Sequence, residues 1–235
     1  MKYLKIDDAE MYHKLQIQAC RKKVNYCKFS YSDAEKYILA IADHKKKSGN
    51  NDSIGPILCL GVRNGREIDC FRTALSGSLL QRIATKYLEI KRFGLQSRYP
   101  LLESIGRSSI KNGISPTACF GVEINPDVKR SDILNCSFDA LPREWDGQFG
   151  LVYSNAFDHG RDPQQVALSW WRMVRPGGYL VLGFPHGQQP GEIDPIGDVT
   201  LEDACSLFPG ELVFFQKMGS VWTYTEYMFN KSVTR

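Results

Sequence analysis

The chain has 235 residues, of which 43% are hydrophobic and 24% charged, so it has an ordinary globular composition and enough length for one substantial core. Its formal net charge of +4 is too small to indicate a nucleic-acid-binding protein without a concentrated basic patch. The charged start has no signal-peptide core, and no segment approaches the roughly 18 apolar residues of a membrane span. The seven cysteines include no C-x-x-C pair, which favours reduced core residues. We therefore expect a soluble cytoplasmic protein.

Residues 1–50 predict an N-terminal helical extension. Two helices are expected around the segment KKVNYCKFSYSD, with Ser32 or Asp33 capping the second, in which apolar positions recur at helical spacing and lysines close the last turn. His13 and His44 lie in these helices and have no context that indicates a site. The polar turn SGNNDSIGP then ends the extension.

Beyond this turn, apolar strand-like runs alternate with helical ones. The strand-like runs are ILCLGV, ACFGVEI, a short run in the segment that follows it, FGLVYSNA, GGYLVLGF, ELVFFQKM and SVWTYTEYMF. Apolar strands separated by helices predict an α/β, Rossmann-like doubly wound sheet of seven largely parallel strands. The last two runs are joined only by GS, so they predict an antiparallel hairpin at the C-terminal edge.

A helical insertion is expected at residues 76–116, after the first strand–helix unit, where such folds need only a few residues. From Leu75 to Pro116 its basic residues are Arg82, Lys86, Lys91, Arg92, Arg98, Arg107 and Lys111, against Glu89 and Glu103. A solvated helix face with a loop explains this charge. The functional alternative is a substrate arm that attracts an anionic acceptor.

Candidate site residues follow the strands, because ligands of an open α/β sheet bind beyond the carboxyl ends of its strands, where strand order reverses. The first strand leads into a glycine turn whose backbone N–H groups can approach a ligand closely. This turn and the helix start after it comprise Gly61, Val62, Arg63, Asn64, Gly65 and Glu67. Glu123 and Ile124 end the second strand, where an acidic side chain can accept both hydroxyls of a ribose. The pairing predicts an adenosine-type cofactor.

The segment KRSDILNCSFDALP predicts the adenine end of that site. Asp132 is expected to follow a short third strand and to accept from the adenine amino group, while Ile133 and Phe138 flank the ring. The structural alternatives are plain turn glycines, a lysine partner for Glu123, and a helix cap for Asp132.

In this order the motifs resemble those of the class I S-adenosylmethionine-dependent methyltransferases. The matching segments are ILCLGVRNGRE, GVEINP, SDILNCSF, FGLVYSNAFDH and WWRMVRPGGYLVLGF, which span about Ile57 to Phe184. The resemblance implies one methyltransferase domain over residues 1–235, with S-adenosyl-L-methionine as cofactor. It places Gly61, Arg63 and Gly65 at the methionyl end and Glu123 at the ribose. It also turns the tail of the fourth strand, with Asn155 and Ala156, toward the methyl group.

The combination of L-G-x-R-x-G-x-E with S-N-A-F-D-H is similar to a bacterial subgroup often found with surface-glycan biosynthesis, and that subgroup tolerates arginine at position 63. Methyl transfer to a hydroxyl requires alignment of the acceptor and removal of its proton. Asp158 and His159 after the fourth strand, and His186 after the fifth, are the catalytic candidates, since imidazole titrates near neutrality. A hydrogen-bonded loop role is the structural alternative. No metal is predicted, because these residues and Asp194 match no ligand spacing.

The expected function is O-methylation of a small-molecule or glycan hydroxyl, including a nucleotide sugar. One alternative is an RNA methyltransferase that uses the basic insertion; the other is a non-catalytic scaffold or regulatory protein with a cofactor-binding fold. Amino-group methylation of nucleic acid is disfavoured, because SNAF stands where a D/N-P-P-Y/F pattern is expected. The sequence does not fix the oligomeric state.

Overall fold

The computed structural model describes residues 1–23, 29–76, 119–218 and 224–232. The predicted insertion at 76–116 lies outside these ranges except for its first residue, and so does Cys27. None of the described helices is both long and apolar enough to cross a lipid bilayer.

Five helices and seven strands form the described part of the chain. The helices are α1 (Ala9–Lys22), α2 (Tyr31–Lys47), α3 (Arg66–Ser76), α4 (Pro163–Met173) and α5 (Leu201–Leu207). The strands are β1 (Ile57–Leu60), β2 (Cys119–Glu123), β3 (Ile133–Asn135), β4 (Phe149–Ser154), β5 (Val174–Pro185), β6 (Glu211–Met218) and β7 (Tyr224–Asn230). Short 3₁₀ turns lie at Arg143–Trp145 and Phe157–His159.

The strands form one seven-stranded sheet in the order β3-β2-β1-β4-β5-β7-β6. β1 to β5 pair in parallel, whereas β7 pairs antiparallel with both β5 and β6. This confirms the predicted Rossmann-like sheet and its antiparallel C-terminal hairpin. Strand order reverses between β1 and β4, which is the position that α/β proteins use for ligands.

The N-terminus of α2 differs from the expected one. The helix starts at Tyr31, and Ser30 is its N-cap: the Ser30 hydroxyl accepts from the Asp33 N–H, while the Asp33 carboxylate accepts from the Ser30 N–H. The prediction of Ser32 or Asp33 as the cap was therefore wrong. A serine followed three residues later by an acidic residue forms a reciprocal capping box, which satisfies two backbone donors instead of one.

Two hydrophobic clusters cover the faces of the sheet. One packs α4 and α5 against the sheet around Trp170 and Phe157, both fully buried. The other packs α2 and α3 around Tyr37 and Phe71. Because both faces are covered, the parallel strands are apolar throughout, and polar side chains concentrate at the strand ends.

The strand register brings three loops to one edge of the sheet. Leu60, at the end of β1, lies opposite Val122 of β2 and Ser154 of β4. The next residues of these strands therefore start side by side at the switch point. The Ser154 hydroxyl fixes this arrangement, since it donates to the Leu60 carbonyl and accepts from the Ala156 N–H.

Candidate functional site

The turn after β1 has a backbone that requires its two glycines. Gly61 and Gly65 have φ of 72° and 78°, in the left-handed region. A Cβ on Gly61 would lie 2.7 Å from the Cβ of Ala156, and one on Gly65 would lie 2.7 Å from an Nη of Arg130. Close approach of neighbouring groups therefore demands glycine at both positions as much as the backbone angle does.

Arg63 has a φ of 47°, the only left-handed value among the described residues other than glycine. Its backbone N–H donates to Glu123 Oε2 at 2.7 Å. A charge-assisted hydrogen bond of this kind stabilises a conformation that a residue with a Cβ otherwise disfavours. The Arg63 side chain lines a cleft at the switch point, so the arginine departs from a plain glycine turn without closing it.

Glu123 ends β2 in a fixed position. Its second carboxylate oxygen accepts from the Asn125 N–H at 2.9 Å, and the residue is only 1% exposed. The thiol of Cys20, from α1, lies against this carboxylate. Burial and the Glu123 charge raise the pKa of Cys20 to about 12, so this cysteine is a neutral thiol.

Arg130 stabilises the glycine turn through hydrogen bonds to its backbone. Arg130 donates to the carbonyl oxygens of Asn64, at 3.0 Å, and Gly65, at 3.3 Å. The same guanidinium contacts the carboxylates of Asp69 and Asp132 at 2.8 to 3.0 Å. Arg130 therefore ties two carbonyl oxygens of the turn to the carboxylates of Asp69 and Asp132.

Asp132 does not follow the third strand, so that part of the adenine prediction was wrong. β3 has three residues and begins at Ile133, which puts Asp132 before the strand and at its far end from the cleft. The Asp132 carboxylate accepts from Arg130 and from Arg72, the latter at 2.6 Å. Ile133 is 8% exposed and packs in the core. Because a three-residue strand has no readable alternation, its ends cannot be set from sequence.

Arg130→Met should weaken binding of S-adenosylhomocysteine about tenfold, because the turn loses the donors to its two carbonyls. Isothermal titration calorimetry measures this affinity, and Arg130→Lys should recover part of it. Arg143→Met, at an exposed arginine of the first 3₁₀ turn, is the matched control. Equal affinities for Arg130→Met and the control would show that Arg130 does not set the turn.

The cleft at the switch point encloses about 500 Å³ of space, part of which is open solvent. It is lined by Tyr12, His13, Gln16, Cys20, Gly61, Arg63, Glu123, Ile124, Ser137, Phe138, Asp139, Ala156 and His159. The structure thus brings together six of the predicted site residues and Phe138. Ser137, Phe138 and Asp139 follow β3, at the edge where Asn135 pairs with Glu123.

Four of the other predicted residues belong to the same turn, the helix start after it and the strand ends, without lining the cleft. Val62 is a core residue beneath the turn, Glu67 is buried in the first turn of α3, and Asn155 is half-buried directly after β4. Asn64 accepts from the Arg66 N–H through its side chain. These residues shape the turn and its neighbours.

Helix α1 forms one wall of the cleft, which sequence reasoning missed. The Tyr12 hydroxyl donates to the His159 carbonyl at 2.6 Å, and the Gln16 amide donates to the Tyr12 oxygen at 2.7 Å and to the Ile193 carbonyl at 2.5 Å. His13 adds an Nε2 atom that is buried without a hydrogen-bond partner among the described residues. The available signal was the polar stripe at positions 12, 16 and 20, which is one face of a helix.

His159, Asp194 and Asp158 form a cluster at the cleft. His159 Nδ1 lies 2.7 Å from Asp194 Oδ1, and one ligand atom from each of the three residues falls within 4.8 Å of the others. Burial alone lowers the pKa of His159, but the charges of Asp158 and Asp194 outweigh burial and raise it above the usual range. Burial is also the main cause of the raised pKa of Asp158. A contact through Nδ1 leaves Nε2 for another partner.

His186 belongs to a different pair. Its Nδ1 lies 3.2 Å from Asp198 Oδ1, its side chain is 40% exposed, and it is not among the residues that line the cleft. The structure therefore separates His186 from His159.

No protein-family model matches the chain, and no curated protein matches it significantly. Solved structures do resemble it. Burkholderia thailandensis 1,6-didemethyltoxoflavin-N1-methyltransferase, crystallised with 1,6-didemethyltoxoflavin and S-adenosylhomocysteine, superposes with a TM-score of 0.53 at 11% identity, covering 98% of this chain and 93% of that one. The [4+2]-cyclase SpnF superposes with a TM-score of 0.54 at 11% identity, covering 99% of each chain. At this identity the similarity establishes the fold alone, and the two proteins, a methyltransferase and a [4+2]-cyclase, have different activities on a shared fold.

Proposed function

We propose that the protein is an S-adenosylmethionine-dependent methyltransferase. The observation that carries this proposal is the joint placement of the glycine turn, the fixed Glu123 carboxylate and the His159 pair around one cleft at the switch point. The fold shared with a methyltransferase crystallised with S-adenosylhomocysteine supports it.

The residues present fit this cofactor. Gly61 lines the cleft without a side chain, and the turn from Gly61 to Gly65, with Arg63, would hold the methionyl end. Glu123 would accept from the ribose hydroxyls, since its carboxylate is already oriented by backbone N–H groups. Ser137 to Asp139, with the Phe138 ring, would receive the adenine in place of Asp132.

We assign the acceptor side to α1 and to His159. When bound, the cofactor supplies an electrophilic methyl group on sulfonium sulfur. His159 Nε2 would accept the proton of the acceptor hydroxyl whose oxygen receives this methyl group. Asp194 holds the ring through Nδ1 and stabilises the imidazolium that forms. These groups favour O-methylation of a small-molecule hydroxyl, and a glycan or nucleotide-sugar hydroxyl is the acceptor that the subgroup resemblance implies.

Two measurements test the proposal. Calorimetry should show one S-adenosylhomocysteine bound per chain. Incubation with methyl-labelled S-adenosylmethionine and separated metabolite, glycan and RNA fractions of a cell extract should then label the metabolite or glycan fraction. Label confined to RNA would overturn the acceptor assignment, and folded protein without binding heat would overturn the cofactor assignment. Binding without any label would favour a non-catalytic role.

A further inference from the structure

The three residues Asp158, His159 and Asp194 also have the composition of a metal site. Two carboxylates and one imidazole suit first-row divalent ions such as Mn²⁺. They come from two loops, since Asp158 and His159 lie in the 3₁₀ turn after β4 and Asp194 lies in the loop after β5.

The cluster contains a buried carboxylate oxygen with no use elsewhere. Asp158 is 8% exposed, and its Oδ1 has no hydrogen-bond partner among the described residues. Its other oxygen accepts a long contact of 3.4 Å from the Gln188 amide. Burying a carboxylate oxygen without a partner costs free energy unless a cation or a hydrogen-bond donor interacts with it.

The spacing of the three groups is close to what one ion needs. Carboxylate and imidazole ligands lie about 2.0 to 2.2 Å from such an ion, so neighbouring ligand atoms of one ion are roughly 3 to 3.5 Å apart. His159 Nδ1 and Asp194 Oδ1 lie 2.7 Å apart, and one ligand atom from each of the three residues lies within 4.8 Å of the other two. Small side-chain rotations therefore suffice to close the cluster around an ion.

From these observations we propose that Asp158, His159 and Asp194 bind one divalent cation at the wall of the cleft. Of the three residues, His159 lines the cleft. An ion on Nδ1 leaves the proton on Nε2, so the loaded protein lacks the base described above. This consequence for catalysis rests on the proposed function; the binding does not.

Titration of the full chain with Mn²⁺ at about pH 8, followed by the electron paramagnetic resonance signal of free Mn²⁺, tests the site, because ligands must be deprotonated to bind. We expect one Mn²⁺ per chain and affinity losses of about tenfold or more for His159→Gln and Asp194→Asn. The variants His186→Ala and Asp198→Asn, in the second histidine–aspartate pair, should bind as the wild type does.

Thermal unfolding of each variant without metal separates loss of the site from loss of the fold, and Asp194, whose side chain is 35% exposed, is the substitution best tolerated structurally. Absence of Mn²⁺ binding to folded wild type, or equal binding by Asp194→Asn, would overturn the site. Calorimetry with S-adenosylhomocysteine and the labelling experiment, both done with chelator present, report separately on the proposed function.

Discussion

We expect Glu123→Ala to lower the affinity for S-adenosylhomocysteine by about 100-fold, because the two charge-assisted hydrogen bonds that we propose to the ribose hydroxyls would be lost. The carboxylate also accepts from the Arg63 and Asn125 N–H groups, so the substitution loosens the glycine turn as well. Calorimetry on folded protein gives the ratio of dissociation constants.

Two variants make this result specific. Glu123→Gln keeps the size of the side chain and one acceptor oxygen, and it should fall between wild type and alanine. Glu144→Ala, at an exposed glutamate, should bind as wild type does. Unchanged affinity in Glu123→Ala would remove Glu123 from the cofactor site even if the protein binds the ligand elsewhere.

His159→Ala should lower kcat for methyl transfer by about 10²- to 10⁴-fold, the usual contribution of a general base, while leaving S-adenosylhomocysteine affinity almost unchanged. The acceptor for this assay is the fraction labelled by wild type. His44→Ala is the control, since His44 lies in α2 and contacts Tyr179 and Glu211. Equal loss of kcat and of cofactor affinity would indicate a structural role for His159.

The pH dependence follows from the same pair. The base form of His159 is the neutral imidazole, and Asp158 and Asp194 raise its pKa, so kcat should rise with pH through a midpoint above the ordinary histidine value of about 6.5. Asp194→Asn removes one of these charges and should move the midpoint to lower pH while kcat falls. A midpoint unaffected by Asp194→Asn would contradict the pairing.

Alternation of apolar strands and helices was sufficient to predict the sheet, because buried parallel strands are apolar along their whole length. The helix expected after the first strand forms at Arg66–Ser76, and the C-terminal hairpin forms as expected. β3 was misplaced because three residues show no period. Because the third strand was expected before Asp132, Asp132 was expected at its carboxyl end, near the adenine. The residues that follow the strand and lie at the cleft edge are Ser137 to Asp139.

The site was predictable where it follows strand ends and unpredictable where it depends on packing between distant segments. Gly61, Glu123 and His159 come from strand ends and line the cleft. Tyr12 and His13 line the cleft because α1 packs across the sheet edge. The local sequence of α1 does not indicate where the helix packs. Asp194 contacts His159 from a loop outside the helices and strands, so the sequence does not predict this contact either.

The 2.7 Å approach between Ala156 and the position of a Cβ on Gly61 limits how this cleft can be redesigned. Any residue larger than alanine at 156 would press on the turn that we propose to hold the cofactor, so libraries aimed at new acceptors should leave 61 and 156 unchanged. Diversity is better placed on the α1 wall, at positions such as His13, where a new side chain changes the acceptor space without moving that turn.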